Sequence, residues 1–268
     1  MIWPRLPDEV RPSPVGRVYA IGDVHGRLDL LGKLIDRIER DAAERRSMPT
    51  RIVLLGDVID RGPHSAAIVQ GLMALTAASD RLVVLKGNHE WMMAEALGGG
   101  CEVFGAWLRH GGRETLASWG MAPDQLDTAD LDDSELAELC DAARDLVGPQ
   151  VIDWLSRLPL TYRFRNYLFV HAGIRPGRRL SRQVADDLLW ITDDFLGSVQ
   201  DHGVTVVHGH SISAGPDVRP NRIGIDTGAY RTGMLTAIGI EAGKSWLLST
   251  HAPATVAGAQ RRRPALVG

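Results

Sequence analysis

The sequence predicts an α/β fold, and three observations carry that prediction. Strand-like and helix-like hydrophobic periods alternate from residue 17 onward. Each of the first three strand-like runs ends abruptly in a polar segment containing glycine. Strand character then returns after a long helical stretch, so the sheet-forming segments lie on both sides of it.

Taken in order, Met1 to Gly16 carries four prolines and no apolar period, which predicts an extended N-terminal arm. Arg17 to Ile21 reads as a strand. Leu28, Leu31, Leu34, Ile35 and Ile38 then recur at helical spacing up to about Arg46. Arg51 to Leu55 returns to strand, Pro63 introduces a helix over Ala66 to Ala78, and Arg81 to Leu85 is a third β-rich run. This is a βαβαβ unit. Residues 91–157 carry helix formers, acidic runs and glycine breaks without a strong strand signal, which predicts a helical insertion over the sheet. Strand character reappears at Tyr167 to Val170, Val204 to Val207, Asn221 to Ile225 and Met234 to Ile240. One domain over residues 17–250 follows. The last segment, 251–268, holds Arg261, Arg262 and Arg263 among alanines, prolines and glycines and is expected to be a loose tail.

The bulk composition narrows the function. The chain has 268 residues, 44% of them apolar, enough for a sizeable core. A formal charge of -3 and a pI near 6.3 give no basic surplus for binding nucleic acid. No uncharged run approaches the roughly 18 to 20 residues of a membrane span. No leader pattern opens the chain, so a cytoplasmic location is expected. The two cysteines, Cys101 and Cys140, form no CxxC pair and no spacing typical of a disulfide framework, so a reducing compartment is expected as well.

The chemistry lies in the polar segments that close the strands: Gly22-Asp23-Val24-His25-Gly26, Gly56-Asp57-Val58-Ile59-Asp60-Arg61-Gly62 and Gly87-Asn88-His89-Glu90. Open α/β sheets bind ligands beyond the carboxyl ends of their strands, so these segments should converge. A site for two cations roughly 3.5 to 4 Å apart needs hard oxygen and imidazole ligands with one bridging anion. Asp23 and His25 alternate within reach of one ion, with Asp57 the natural bridge. Asn88, His171 and His210 can complete the shell of the second. Taken singly, Gly-Asp is a common turn and an isolated histidine an ordinary polar residue. Three such strand ends in register are not explained by turn preference.

The ordered motifs G-D-x-H-G, G-D-x-x-D-R-G, G-N-H-E, H-A-G, G-H-S and Ile225-Asp226-Thr227-Gly228-Ala229 resemble the bacterial PPP-type protein phosphatases, within the calcineurin-like metallophosphoesterases. The resemblance runs from about Arg17 to Ile240. It implies two packed mixed β-sheets flanked by helices, with the insertion over the active-site face and two divalent metals at the strand ends, manganese ahead of iron or zinc. It further implies that His89 protonates the leaving group, that Asp60 orients His89, and that Arg61 and Asn88 contact phosphate. Hydrolysis would then be a direct in-line attack by a metal-bridging water, without a phosphoenzyme. The pattern departs in one place: the related phosphatases carry an arginine two residues after a tryptophan, and here Trp190-Ile191 is followed by Thr192. Arg175 and Arg231 are the candidates to replace that cation. The stretch from Trp107 to Trp119 resembles a segment that roofs the cleft and helps to choose substrates.

The expected activity is therefore a phosphomonoesterase acting on phosphoserine, phosphothreonine and phosphotyrosine proteins or on a small phosphoester. Symmetrical hydrolysis of diadenosine tetraphosphate stands as the alternative enzyme, and a degenerate phospho-ligand-binding protein as the alternative of another class. The serine in G-H-S, where the tetraphosphate hydrolases tend to carry an aromatic residue, favours the phosphatase.

Overall fold

The computed structural model describes residues 16–99, 101–128 and 131–251. The predicted arm, apart from Gly16, and the arginine-containing tail lie outside the described residues. The first half of the chain is β1 (Arg17–Ile21), α1 (Leu28–Glu44), β2 (Thr50–Leu54), α2 (Ser65–Ala78) and β3 (Leu82–Val84). The helical stretch follows as α3 (Asn88–Gly98), α4 (Phe104–Trp107), a π-helical turn (Leu108–Gly112), α5 (Arg113–Trp119), α6 (Asp133–Val147) and α7 (Pro149–Arg157). The second half holds β4 (Thr161–Phe164), β5 (Tyr167–Val170), α8 (Ala185–Trp190), α9 (Asp193–Leu196), β6 (Thr205–His208), β7 (Asp217–Val218), β8 (Arg222–Gly224), α10 (Ala229–Thr232), β9 (Thr236–Glu241) and β10 (Lys244–Ser249).

Two five-stranded sheets result, in the orders β10-β9-β1-β2-β3 and β4-β5-β6-β8-β7. Both are mixed: β1, β2 and β3 run parallel with β9 antiparallel to β1, and β5, β6 and β8 run parallel with β4 and β7 antiparallel at the edges. The period-2 alternation of side chains builds the layers. Val18, Ala20, Val53 and Leu55 of the first sheet meet Tyr162, Phe164, Phe169, Val207 and Ile223 of the second in one cluster. The opposite face, Tyr19, Ile21, Leu54 and Val84, packs on Leu30, Leu34 and Ile38 of α1 and on α2 and α3. Leu168, Val170 and Val206 cover the outer face of the second sheet with Leu188 and Phe195. Strands covered on both sides read as continuous apolar runs, and each large side chain withdrawn from water in this way contributes about 1.5–3 kcal/mol.

Three edge strands, β4, β7 and β10, are absent from the sequence reading. They carry alternating polar residues such as Arg163 and Lys244, and one face of an edge strand meets solvent. Asn88 also does not close a strand. It is the first residue of α3, four residues past the end of a short β3, because the Glu90 carboxylate turns back to accept the Gly87 N–H at 2.8 Å and starts the helix there. The cysteines correct another expectation. Cys101 and Cys140 are joined in a disulfide across 39 residues of sequence, tying the segment before α4 to α6. Their spacing gives no sign of this because the contact is tertiary, and it removes the premise on which a reducing compartment was expected. Among the described residues no helix is long and apolar enough to cross a membrane.

Candidate metal centre

The loops after β1 and β2 are zipped to one another: Val24 and His25 donate their N–H groups to the Asp57 carbonyl at 3.0 and 2.9 Å, and Gly26 donates to Val58. Their side chains are aimed by left-handed backbone at non-glycine residues, with φ of 46° at His25, 50° at Asp57, 71° at Asp60 and 67° at Arg61. Such conformations persist only where the surroundings over-determine them. Here the buried Glu90 does so, accepting from Asp57 N at 2.7 Å, Val58 N at 2.8 Å and Ile59 N at 3.4 Å. Burial, followed by the proximity of Asp57, pushes the Glu90 carboxyl up to about 7 against the pull of those N–H groups. Gly87 admits no side chain, since a Cβ there would stand 2.1 Å from Asp57 Oδ1.

Two groups of potential ligands share Asp57. His25, Asp57 and His89 form one, and Asp57, His171 and His210 the other, with the ligand atoms of each group within 4.8 Å of one another. His25 donates Nδ1–H to the Ile59 carbonyl at 2.8 Å, which leaves Nε2 facing Asp57 Oδ2 at 3.6 Å. His171 donates Nδ1–H to Leu55 O at 2.9 Å, so its Nε2 is a bare lone pair, and that atom lies 2.8 Å from Asn88 Oδ1 and 3.4 Å from Asp57 Oδ1. His210 Nδ1 stands 3.1 Å from the same Asn88 oxygen. Acceptors held together with no proton between them repel unless a cation lies among them, so this donor set fits a metal ion. The imidazoles are tuned accordingly. Burial lowers His25 to about 3, and burial with the neighbouring His171 lowers His210 to about 4, keeping both neutral and able to bind.

The grouping differs from the expected one at Asp23. His89 accompanies His25 and Asp57, whereas the Asp23 carboxylate accepts the His210 N–H at 3.1 Å and lies beside Asp226. Burial and the nearby Asp226 raise Asp23 well above the usual carboxylate range, and Asp226 itself rises to about 6. Two buried carboxyl groups in contact hold a shared proton or stand beside a cation. His210, and not His208, joins the group, while His208 packs on the ring of Phe195 at 5.1 Å.

His89 donates Nδ1–H to Asp60 Oδ2 at 2.6 Å. Burial alone would lower this imidazole, but Asp57 and Asp60 outweigh it and the net shift is upward. Arg61 reaches between the rings, with Nη1 2.9 Å from His25 Nε2 and Nη2 3.0 Å from His89 Nε2, under the ring of Tyr230 at 4.8 Å. The two substitute cations fare differently from expectation. Arg175 pairs through Nε with Asp187 at 2.7 Å and through Nη1 with Asp194 at 2.8 Å, so two of its three nitrogens already face carboxylates. Arg231 is an exposed residue of α10, and it is the preceding Tyr230 that faces His25, at 5.3 Å. Thr192 precedes α9 in a shallow cavity of about 300 Å³ that it shares with Trp190, Arg175 and Asp194. Glu90, Asp226 and Tyr230 received no role from the sequence, and Trp107 and Thr115 only a share in the stretch expected to roof the cleft. Glu90 and Asp226 sit inside quoted motifs, and their burial was the missing signal.

A two-sheet α/β sandwich that gathers aspartate, asparagine and histidine ligands in two groups around one shared carboxylate defines a dinuclear metallohydrolase. The match to the family described as calcineurin-like phosphoesterase, over residues 16–232, is wide enough to settle the lineage, and the chain belongs to that family. Among named relatives, the symmetrical bis(5'-nucleosyl)-tetraphosphatase of Dechloromonas aromatica is 30% identical over 172 residues, 62% of this chain and 49% of that protein. The enzyme of the same name from Janthinobacterium sp. is 32% identical over 168 residues, 62% of this chain and 47% of that protein. The chain thus spans about half the length of these relatives. The Nitrosomonas europaea enzyme of that name is 25% identical over 261 residues, covering 83% of this chain and 94% of its own. Of solved structures, a candidate diadenosine tetraphosphatase superposes with a TM-score of 0.60 at 22% identity, over 89% of this chain and 95% of its own. A cold-active protein-tyrosine phosphatase of Shewanella gives 0.55 at 18%, over 88% and 83%, a likeness of fold alone.

Proposed function

We propose that this phosphoesterase cleaves dinucleoside tetraphosphates symmetrically, into two nucleoside diphosphates. The observation that carries the reading is that relatives similar to this chain over 62% to 83% of its length are repeatedly named for that activity. The expected protein phosphatase activity becomes the second choice. Its main support, the serine after His210, is a single half-buried position set against similarity along most of the chain. The aromatic rings flanking the two ligand groups agree with the first choice. Tyr230 stands beside His25 at 5.3 Å and Trp190 beside His210 at 6.4 Å, suited to stacking on a nucleobase.

In this reading the Asp23 carboxylate is drawn to His25 and Asp57 by one cation, leaving His89 of that group free for proton transfer, and Asp57, Asn88, His171 and His210 hold the other ion. Carboxylate, amide and imidazole ligands without thiolate suit manganese, with iron or zinc as alternatives. When bound, the ions acidify a water nucleophile and neutralise the phosphoryl oxygens. Arg61 places its guanidinium against the attacked phosphoryl group and offsets the charge that grows there. His89, held by Asp60, delivers a proton from Nε2 to the departing phosphate oxygen. Thr192 offers a hydroxyl to a phosphoryl oxygen without the fixed charge of an arginine.

The test is turnover with added manganese of diadenosine tetraphosphate and of a phosphoserine peptide, with products separated by chromatography. The reading predicts ADP as the sole nucleotide product and slower release of phosphate from the peptide. Rapid peptide dephosphorylation with an intact dinucleotide, or ATP and AMP as products, would reject it.

A further inference from the structure

The segment Trp107-Leu108-Arg109-His110-Gly111-Gly112-Arg113-Glu114-Thr115 is pressed onto Asp60 and Arg61. Trp107 donates its indole N–H to both Asp60 oxygens, at 3.0 Å to Oδ2 and 3.2 Å to Oδ1. Thr115 donates its hydroxyl to Asp60 Oδ1 at 2.6 Å and accepts the Asp60 N–H at 2.9 Å. With His89 Nδ1 on Oδ2, every contact asks this carboxylate to accept, and no water is needed to complete it. Asp60, Trp107 and Thr115 are all fully buried, so the network is also shielded from solvent, where hydrogen bonds are strongest and an unmade one costs most.

The backbone of the segment completes the clamp. Between α4 and α5 lies the π-helical turn, a form that recurs at functional sites, and Gly111 inside it has a φ of 115°. That conformation brings the Gly111 carbonyl to the Arg61 N–H at 3.2 Å. A Cβ at Gly111 would stand 2.8 Å from Arg61 N and 3.1 Å from Asp60 Cβ, so only glycine closes this contact. The left-handed backbone of Asp60 and Arg61 is thus held by Thr115, with Ser65 Oγ at 3.0 Å, on one N–H and by Gly111 on the next.

We propose that Trp107, Gly111 and Thr115 are positioning residues that aim Asp60 at His89. The insertion then serves proton delivery to the leaving group, in addition to or instead of substrate choice. The chemical consequence rests on the hydrolytic reading above; the positioning itself does not.

The experiment uses the full-length protein with Trp107→Phe, which keeps an aromatic ring but removes the N–H with the rest of the pyrrole ring, Thr115→Val, which keeps the shape and removes the hydroxyl, and Thr115→Ser, which restores it. The first readout is the downfield proton resonance of His89 Nδ1–H. It is expected to shift and broaden in Trp107→Phe and Thr115→Val and to recover in Thr115→Ser. The second compares kcat on two aryl phosphates. Phenyl phosphate, whose leaving group needs a proton, should lose about 10- to 100-fold, within the range of general-acid catalysis. 4-Nitrophenyl phosphate, whose leaving group needs little help, should lose far less, and KM should hold for both. Equal losses on the two esters, or an unmoved resonance in both variants, would overturn the proposal. If the wild-type protein hydrolyses no phosphoester, the functional reading fails while the resonance still decides the positioning.

Discussion

Replacing Glu90 by glutamine tests whether one buried carboxylate holds the loop that carries Asp57. Oε2 accepts from Asp57 N and Gly87 N at 2.7 and 2.8 Å, and Oε1 from Val58 N and Ile59 N at 2.8 and 3.4 Å. The glutamine amide is isosteric, but it turns one oxygen into an NH2 group that faces two N–H donors. The cheaper orientation gives up Oε1, which loses one good bond and one long one. An unmade buried hydrogen bond costs about 1–3 kcal/mol, so the loss should be about 2–4 kcal/mol, a large fraction of the 5–15 kcal/mol typical of a whole domain. Urea unfolding at pH 8, where the wild-type carboxyl at about 7 is ionised, measures this directly. Calorimetric titration with manganese should show weaker binding in the variant, because Asp57 sits in the left-handed turn those bonds support. A change below about 1 kcal/mol, within the usual range for surface substitutions, together with unaltered metal binding would refute the argument.

Two further outcomes follow from the geometry. Arg175→Ala should leave KM for the dinucleotide within about twofold, a difference well below 1.4 kcal/mol, because its guanidinium is occupied by Asp187 and Asp194; steady-state kinetics decides, and a large rise in KM would restore Arg175 as a phosphate clamp. Cys101→Ser with Cys140→Ser opens a 39-residue loop and should cost up to about 4 kcal/mol by the chain-entropy account, read as a drop in urea midpoint relative to the oxidised protein.

Asp57, Asn88 and His89 were legible because each follows a β-rich run closely, and short polar segments after parallel strands converge at one edge of the sheet. Glu90 stood in the same motif without a role, since a carboxylate that accepts four backbone N–H groups is identified only by the backbone it faces. Arg175 and Arg231 were reasonable substitutes by position in the chain. What they pair with or adjoin depends on where Asp187, Asp194 and Tyr230 lie in space. The preference for a protein phosphatase came from one residue after His210, and similarity over the length of the chain reversed it.

By itself, then, the sequence determined the α/β alternation, the order of the motifs and the types of ligand, since hydrophobic period and residue chemistry are local properties. Tertiary structure decided which groups meet. It turned Asp23 toward Asp226 and His210, joined Cys101 to Cys140, and laid Trp107 and Thr115 on Asp60, 47 and 55 residues away. Those contacts arise from burial and chain crossing, for which no periodicity in the sequence is a signal.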